Sequence, residues 1–164
     1  MQNFLNQRLN YNTMNAKQQI QSLFPLNRRE GYKCECCNQF VKLYSRHFNC
    51  NMALALIFLY KKKNEGFVHL ENSMVADGFK RCGDASYMLH YSLIENMPEN
   101  RKDGSKRNGH YRISGRGILF VEGNMKVNER FLICNNKFEG FEGKEIDITE
   151  ALGKKFNYTQ LMNC

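Results

Sequence analysis

Nine consecutive apolar residues, Met52-Ala53-Leu54-Ala55-Leu56-Ile57-Phe58-Leu59-Tyr60, restrict what this chain can fold into more than any other feature. The run is far short of the roughly 20 residues that span a bilayer, so it belongs in a protein core. A helix from Asn51 to about Lys63 meets that need. Asn49 or Asn51 caps it, and Met52, Leu54, Leu56, Ile57, Leu59 and Tyr60 form a broad buried face. Lys61-Lys62-Lys63 complements the negative helix end, and Asn64-Glu65-Gly66 terminates it. The three lysines read as helix-end charge rather than as a binding site.

The residues after this helix have the order of a winged helix-turn-helix. Phe67-Val68-His69-Leu70 reads as a short strand, Asn72 as the cap of a helix reaching about Phe79, and Arg81-Cys82-Gly83 as a turn. Asp84 then caps a further helix, with Ala85, Met88, Leu89 and Leu93 facing inward and Ser86, Tyr87, His90 and Tyr91 facing outward. Arg101-Lys102-Asp103-Gly104-Ser105-Lys106-Arg107-Asn108-Gly109 carries an Asp-Gly hairpin signal. Tyr111-Arg112-Ile113 returns with period two, Ser114 caps a short helix, and Leu119 and Phe120 pack inward. Gly117 reads as a close backbone contact, since Gly115-x-Gly117 alone is a weak phosphate-loop signal.

Charge marks where a polyanion would meet this frame. The net charge is +8 over 164 residues, and residues 96–116 alone hold six Lys/Arg against two acids. Residues 1–33 hold five against one, while 117–164 hold six against seven. Arg101, Lys102, Lys106, Arg107 and Arg112 would each neutralise a phosphate, adding affinity that falls with salt. Ser86, Tyr87, His90 and Tyr91 would approach a groove, but none is Arg, Lys, Asn or Gln, so bidentate base reading is not offered. A plain solvated hairpin is the competing reading of the same cations.

Seven cysteines, an odd number, with three at Cys34, Cys36 and Cys37, point to metal binding or buried thiols in a reducing compartment. Cys34-x2-Cys37 and, nine residues on, His47-x2-Cys50 have the spacing of a structural zinc knuckle. A metal-free knuckle stands beside that reading, with Cys36 a competing ligand, His47 a surface residue and Cys50 a small core residue. Redox chemistry is a third.

Upstream, Asn15 caps a docking helix over Ala16 to Phe24 that ends at Pro25. Downstream, Arg130–Cys134 and Lys137–Phe141 flank an Asn135-Asn136 turn, Ile146-Asp147-Ile148 reads as a third strand, and Thr149 and Asn157 cap two short helices. The expected fold class is α+β: an arm over 1–33, a cysteine knuckle over 34–50, a winged-helix core over 51–123 and a C-terminal β/α appendage over 124–164.

Tyr111-Arg112-Ile113-Ser114-x2-Gly117 resembles the end of the wing in winged-helix regulators. More broadly, the chain resembles a family of small uncharacterised bacteriophage and prophage proteins. The likeness is carried by Cys34-x2-Cys37, Phe40–Tyr44, Gly83-Asp84, Leu93-Ile94-Glu95, Asp103–Arg107, Tyr111-Arg112-Ile113 and Ala151–Phe156, and covers roughly residues 34–163. It implies a winged-helix core behind a cysteine knuckle and an origin in a mobile element; it implies no activity. His47 and Cys50 lie outside the matching residues.

No nucleophile pair, P-loop or Rossmann glycine pattern stands out, so no enzyme is expected. The expected function is a regulatory, phage-type nucleic-acid-binding protein (DNA or RNA) that grips phosphate through a basic wing. An anti-defence inhibitor of the anti-CRISPR kind, binding a host protein or ribonucleoprotein, is the alternative. The N-terminus has no basic start followed by an apolar run, so the expected location is the cytoplasm of a bacterial host, away from membranes.

Overall fold

In the computed structural model, residues 29–34, 37–98 and 108–163 are described. The helix expected over Ala16–Phe24, Cys36, and the wing cations Arg101, Lys102, Lys106 and Arg107 lie outside the described residues. The fold is mixed α+β, with five α-helices and three small sheets among the described residues. No helix among them is long and apolar enough to cross a membrane. The chain divides into two compact units, residues 1–46 with 131–140, and residues 47–130 with 141–164.

The first unit holds the hairpin of β1 (Tyr32–Lys33) and β2 (Phe40–Val41), in the register Tyr32↔Val41 and Lys33↔Phe40. Its turn is closed by Cys34 N–H donating to the Gln39 carbonyl and Asn38 N–H donating to the Cys34 carbonyl, both at 2.8 Å. Val41, Leu43 and Cys134 are buried together, with Tyr32 and Leu132 packed against them. β3 (Tyr44–His47), β7 (Val127–Cys134) and β8 (Lys137–Ile146) form a sheet in the order β3-β7-β8. The β7–β8 turn is the Asn135-Asn136 pair, at φ 48° and 61°. Two left-handed residues in a two-residue loop make the turn whose twist matches a hairpin.

In the second unit the apolar run forms α1 (Cys50–Lys61), with Met52 to Leu59 buried without a break. A helix can be enclosed this way because it bonds its own backbone internally. Asn49 is its cap, accepting from the amides of Asn51 (3.0 Å) and Met52 (3.1 Å), while its side-chain amide donates to Asp84 at 3.0 Å. Around α1 pack α2 (Leu70–Ala76), α3 (Gly115–Val121), α4 (Ile148–Leu152) and strand β6 (His110–Ile113). Phe48 wedges edge-on against both Phe120 and Tyr91.

β4 (Val68–His69), β5 (Ile94–Asn96) and β6 make an antiparallel sheet in the order β4-β6-β5. Ile94 pairs with Ile113, Glu95 with Arg112, and both Asn96 and Val68 oppose Tyr111. Ser114 caps α3, its hydroxyl oxygen accepting from Gly117 N–H at 3.0 Å. At Gly117 a Cβ would run into the Leu93 carbonyl oxygen and stand 2.7 Å from Ile113 Cγ1, so the close contact expected there is present.

Several expectations are corrected. The helix expected from Asp84 to about Leu93 is a 3-10 turn, Ala85–Leu89, and the bonds Ala85→Cys82, Tyr87→Asp84, His90→Tyr87 and Ser92→Leu89 all span three residues. The buried set explains it. Ala85, Met88 and Tyr91 recur every third residue, and three residues per turn is the 3-10 period. Tyr91 thus faces inward, and Ser92 (φ 56°) turns the chain into β5. His69, not Asn72, caps α2, through its Nδ1 and the Asn72 amide. Asp147, not Thr149, caps α4 in a reciprocal box with Glu150, which also ends β8 at Ile146 and removes the third strand expected over Ile146–Ile148. Leu119 is 45% exposed, whereas Phe120 is fully buried. In the C-terminal stretch, Ile148, Ala151 and Leu152 are buried and their helix packs on α1.

Gly117→Ala should therefore destabilise by about 3 kcal/mol, the upper end for forcing a methyl into a packed site. Ser114→Ala should cost about 1–2 kcal/mol for the lost cap and buried bond. Urea unfolding with an unchanged slope checks both; a Gly117→Ala midpoint equal to wild type would contradict the close approach.

Candidate nucleic-acid interface

The expected interface combines the 3-10 turn, the segment between β5 and β6, and Arg112. β5 and β6 are tied beside that segment by Met97 N–H donating to the His110 carbonyl (3.1 Å) and Asn108 Nδ2 donating to the Met97 carbonyl (3.4 Å). The Asn108 side chain also accepts from His110 N–H at 3.0 Å. Residues 99–107, with four of the five expected phosphate contacts, connect these two strands.

Ser86 and Tyr87 are half-buried, as is His90. Ser86 lines a cleft of about 360 Å³ with His69, Glu71, Cys82, Gly109 and Tyr111. His69 and His110 meet edge to face across the β4–β6 pair, ring centroids 5.0 Å apart. Burial pushes the Cys82 thiol up to about 11, so it sits in the cleft wall as a neutral thiol at neutral pH. The Tyr87 and His90 rings lie nearly parallel at 6.3 Å. Burial also lowers His90, favouring the neutral imidazole with one donor and one acceptor nitrogen.

Tyr91 and Arg112 both have partners within the fold. Tyr91 is 4% exposed, and its burial raises the phenol. It supports the core and offers no hydroxyl to a groove. Arg112 is engaged on its own sheet: Nε and Nη2 donate to Glu95 Oε2 at 2.8 and 2.6 Å, and the guanidinium lies 4.7 Å from the Phe67 ring centroid. Glu95 and Phe67 were missed in the sequence. The available signal was alternation, since pairing inward Ile94 with inward Ile113 sets Glu95 directly opposite Arg112.

The four residues expected as zinc ligands fall two in each compact unit. Cys34 is buried and Cys37 exposed on the β1–β2 turn of the first unit, while His47 and Cys50 belong to the second. Among the described residues no three His, Cys, Asp or Glu side chains are grouped to hold a metal ion. Cys50 instead begins α1, where Sγ faces Asn51 Oδ1 at 3.9 Å.

No protein-family model, curated protein or solved structure matches the chain.

Both partners of the Arg112–Glu95 pair are about half exposed. A double-mutant cycle of Arg112→Ala and Glu95→Ala should therefore give a coupling of at most about 1 kcal/mol, falling further in high salt. Urea unfolding of the four proteins measures it.

Proposed function

We propose that the chain is a winged-helix-type nucleic-acid-binding protein of the phage kind, gripping phosphate through the basic segment 101–107 with little base reading. The observation that carries the proposal is the strand order β4-β6-β5 within the sequence helix, strand, helix, helical turn, strand, loop, strand. A wing would have that connectivity, and in the sequence the cation-rich segment 101–107 falls between its two strands. The low base specificity follows from the turn. A single 3-10 turn with Tyr91 inward leaves Ser86, Tyr87 and His90 as its polar surface, and none makes the paired contacts that identify G or A.

The shortness of that turn also favours a second reading, an anti-defence inhibitor whose basic loop occupies a nucleic-acid channel of a host ribonucleoprotein. Pull-down from host lysate with and without nuclease separates the two. One stoichiometric protein partner retained after nuclease supports the inhibitor; loss of all partners supports direct nucleic-acid binding.

Titration of a labelled 20-base-pair duplex across salt tests the leading reading. Four phosphate contacts predict a slope of log K against log salt of about −3.6. The combined variant Arg101→Gln, Lys102→Gln, Lys106→Gln and Arg107→Gln should flatten it, while Arg112→Gln, already paired with Glu95, should change it by less than one contact. A folded protein that binds no duplex at low salt, or binds with salt-independent affinity, overturns the proposal.

A further inference from the structure

The second unit carries another cleft, of about 270 Å³, on the far flank of the 3-10 turn. Its walls bring together an aromatic face, two cations and neutral hydrogen-bonding groups. Phe141 supplies the ring. It is 41% exposed on β8, yet it is seated against buried Tyr91 (centroids 4.8 Å apart), which Phe48 in turn holds edge-on at 5.2 Å. The ring rests on Tyr91 and lines the cleft with its exposed part. Arg116 and Lys126 supply the charge. Both are exposed, and Arg116 makes no ion pair among the described residues. Lys126 adds to the hydrogen bonds that hold the Asp147 carboxyl low, and that carboxylate is already engaged by the Thr149 hydroxyl and the Thr149 and Glu150 amides. His90, Ser92 and half-buried Asn128 add donors and acceptors, and Glu145 is the single acid in the lining.

The geometry points to a site for one nucleoside monophosphate unit, its base laid on Phe141 and its phosphate on Arg116 and Lys126. At about 270 Å³ the cleft falls just below the roughly 300–1,000 Å³ range of drug-sized ligand sites, room for one such unit and no more. A ring face paired with cations is the chemistry by which proteins hold bases and backbone of single strands without reading sequence. Glu145 sharpens the class. Opposite two cations it leaves a net charge of +1, enough for a monophosphate or an internal phosphodiester and poorly matched to a triphosphate. Its carboxylate can accept from an exocyclic amino group, which adenine, cytosine and guanine carry and thymine and uracil lack. The site goes beyond the wing proposal and does not require it. The same unit can arrive as a free mononucleotide or within a single strand.

The test uses the full-length chain. Amide chemical shifts are followed on titration with AMP and, separately, with inorganic phosphate, and a labelled hexa-deoxyadenylate is titrated by fluorescence anisotropy. AMP is expected to shift residues 90–92, 116, 126–128 and 141, and to bind at least about fivefold tighter than inorganic phosphate, the lower end for loss of one stacked base. Phe141→Ala should weaken the better ligand at least about fivefold. Arg116→Glu, at an exposed position that leaves the fold intact by thermal melting, should weaken it further. Response to AMP alone assigns the site to free nucleotides; response to the hexanucleotide alone, with the same dependence on Phe141 and Arg116, assigns it to single strands; either supports the site. Phosphate binding as tightly as AMP, or binding indifferent to both substitutions, overturns it. Wild-type protein that binds duplex with strong salt dependence yet ignores AMP and hexanucleotide overturns the cleft alone. The wing variant that loses duplex must keep its AMP response, and loss of that response overturns the cleft as the place of binding.

Discussion

Ser114 ties three elements together at one buried point. Its amide donates to the Leu93 carbonyl (3.1 Å), its hydroxyl donates to the Ser92 carbonyl (2.6 Å), and its hydroxyl oxygen accepts from Gly117 N–H (3.0 Å). A buried hydroxyl is costly unless satisfied, and here both its donor and acceptor roles are used. The bonds fix the end of the 3-10 turn against the start of α3. Gly117 completes the junction, because only a residue without Cβ lets the helix rest on the Leu93 carbonyl. Ser114 directly follows Ile113, the partner of Ile94, so the same junction holds the β5–β6 register and with it the pairing of Glu95 with Arg112.

The core of the second unit grows outward from that point. Leu93, Phe120 and Val121 are fully buried beside it, and α1 lies against α3 and β6. Eight consecutive buried residues in α1 leave no polar face, so neighbours must enclose it on every side. The C-terminal α4 belongs to that enclosure, with Ile148 and Leu152 almost wholly buried. Cutting the chain at the end of the expected winged-helix segment would strip α1 of one of its covers. The apolar run therefore demanded more partners than a three-helix core alone supplies.

The buried helix itself was legible in the residues, as were Asn49 as one of its two candidate caps, the Asn135-Asn136 turn, the Ser114 cap and the role of Gly117. Each rests on short-range chemistry: an apolar run, two residues tolerant of positive φ, a hydroxyl three residues before an amide. The misread features needed tertiary information. Ala85, Met88 and Tyr91 fit a three-residue period, but Ala85, Met88 and Leu89 also fit an α-helix, and only burial decides between them. Asp147 and Thr149 are both good caps, and the choice depends on where β8 stops pairing. Leu119 and Phe120 are adjacent on a helix, so at most one could occupy the centre of the packed face.

The change from α-helix to 3-10 turn also relocates the chemistry. On an α-helix, 100° per residue would have swung Tyr91 toward the surface with Tyr87, giving a ridge to lay in a groove. At three residues per turn Tyr91 lines up behind Met88, and its ring becomes the support on which Phe141 rests. A residue read as a nucleic-acid contact thus acts one step removed, by holding another aromatic ring in reach of solvent. The polar groups then line two clefts beside the turn, with half-buried His69, Glu71 and Ser86 in one and half-buried His90 and exposed Arg116 and Lys126 in the other. Such an arrangement is poorly shaped to match a run of base edges along a groove. The proposed reading asks instead for contacts that repeat at every nucleotide, to the phosphate and to the face of the base, and these need no run of readers along one ridge.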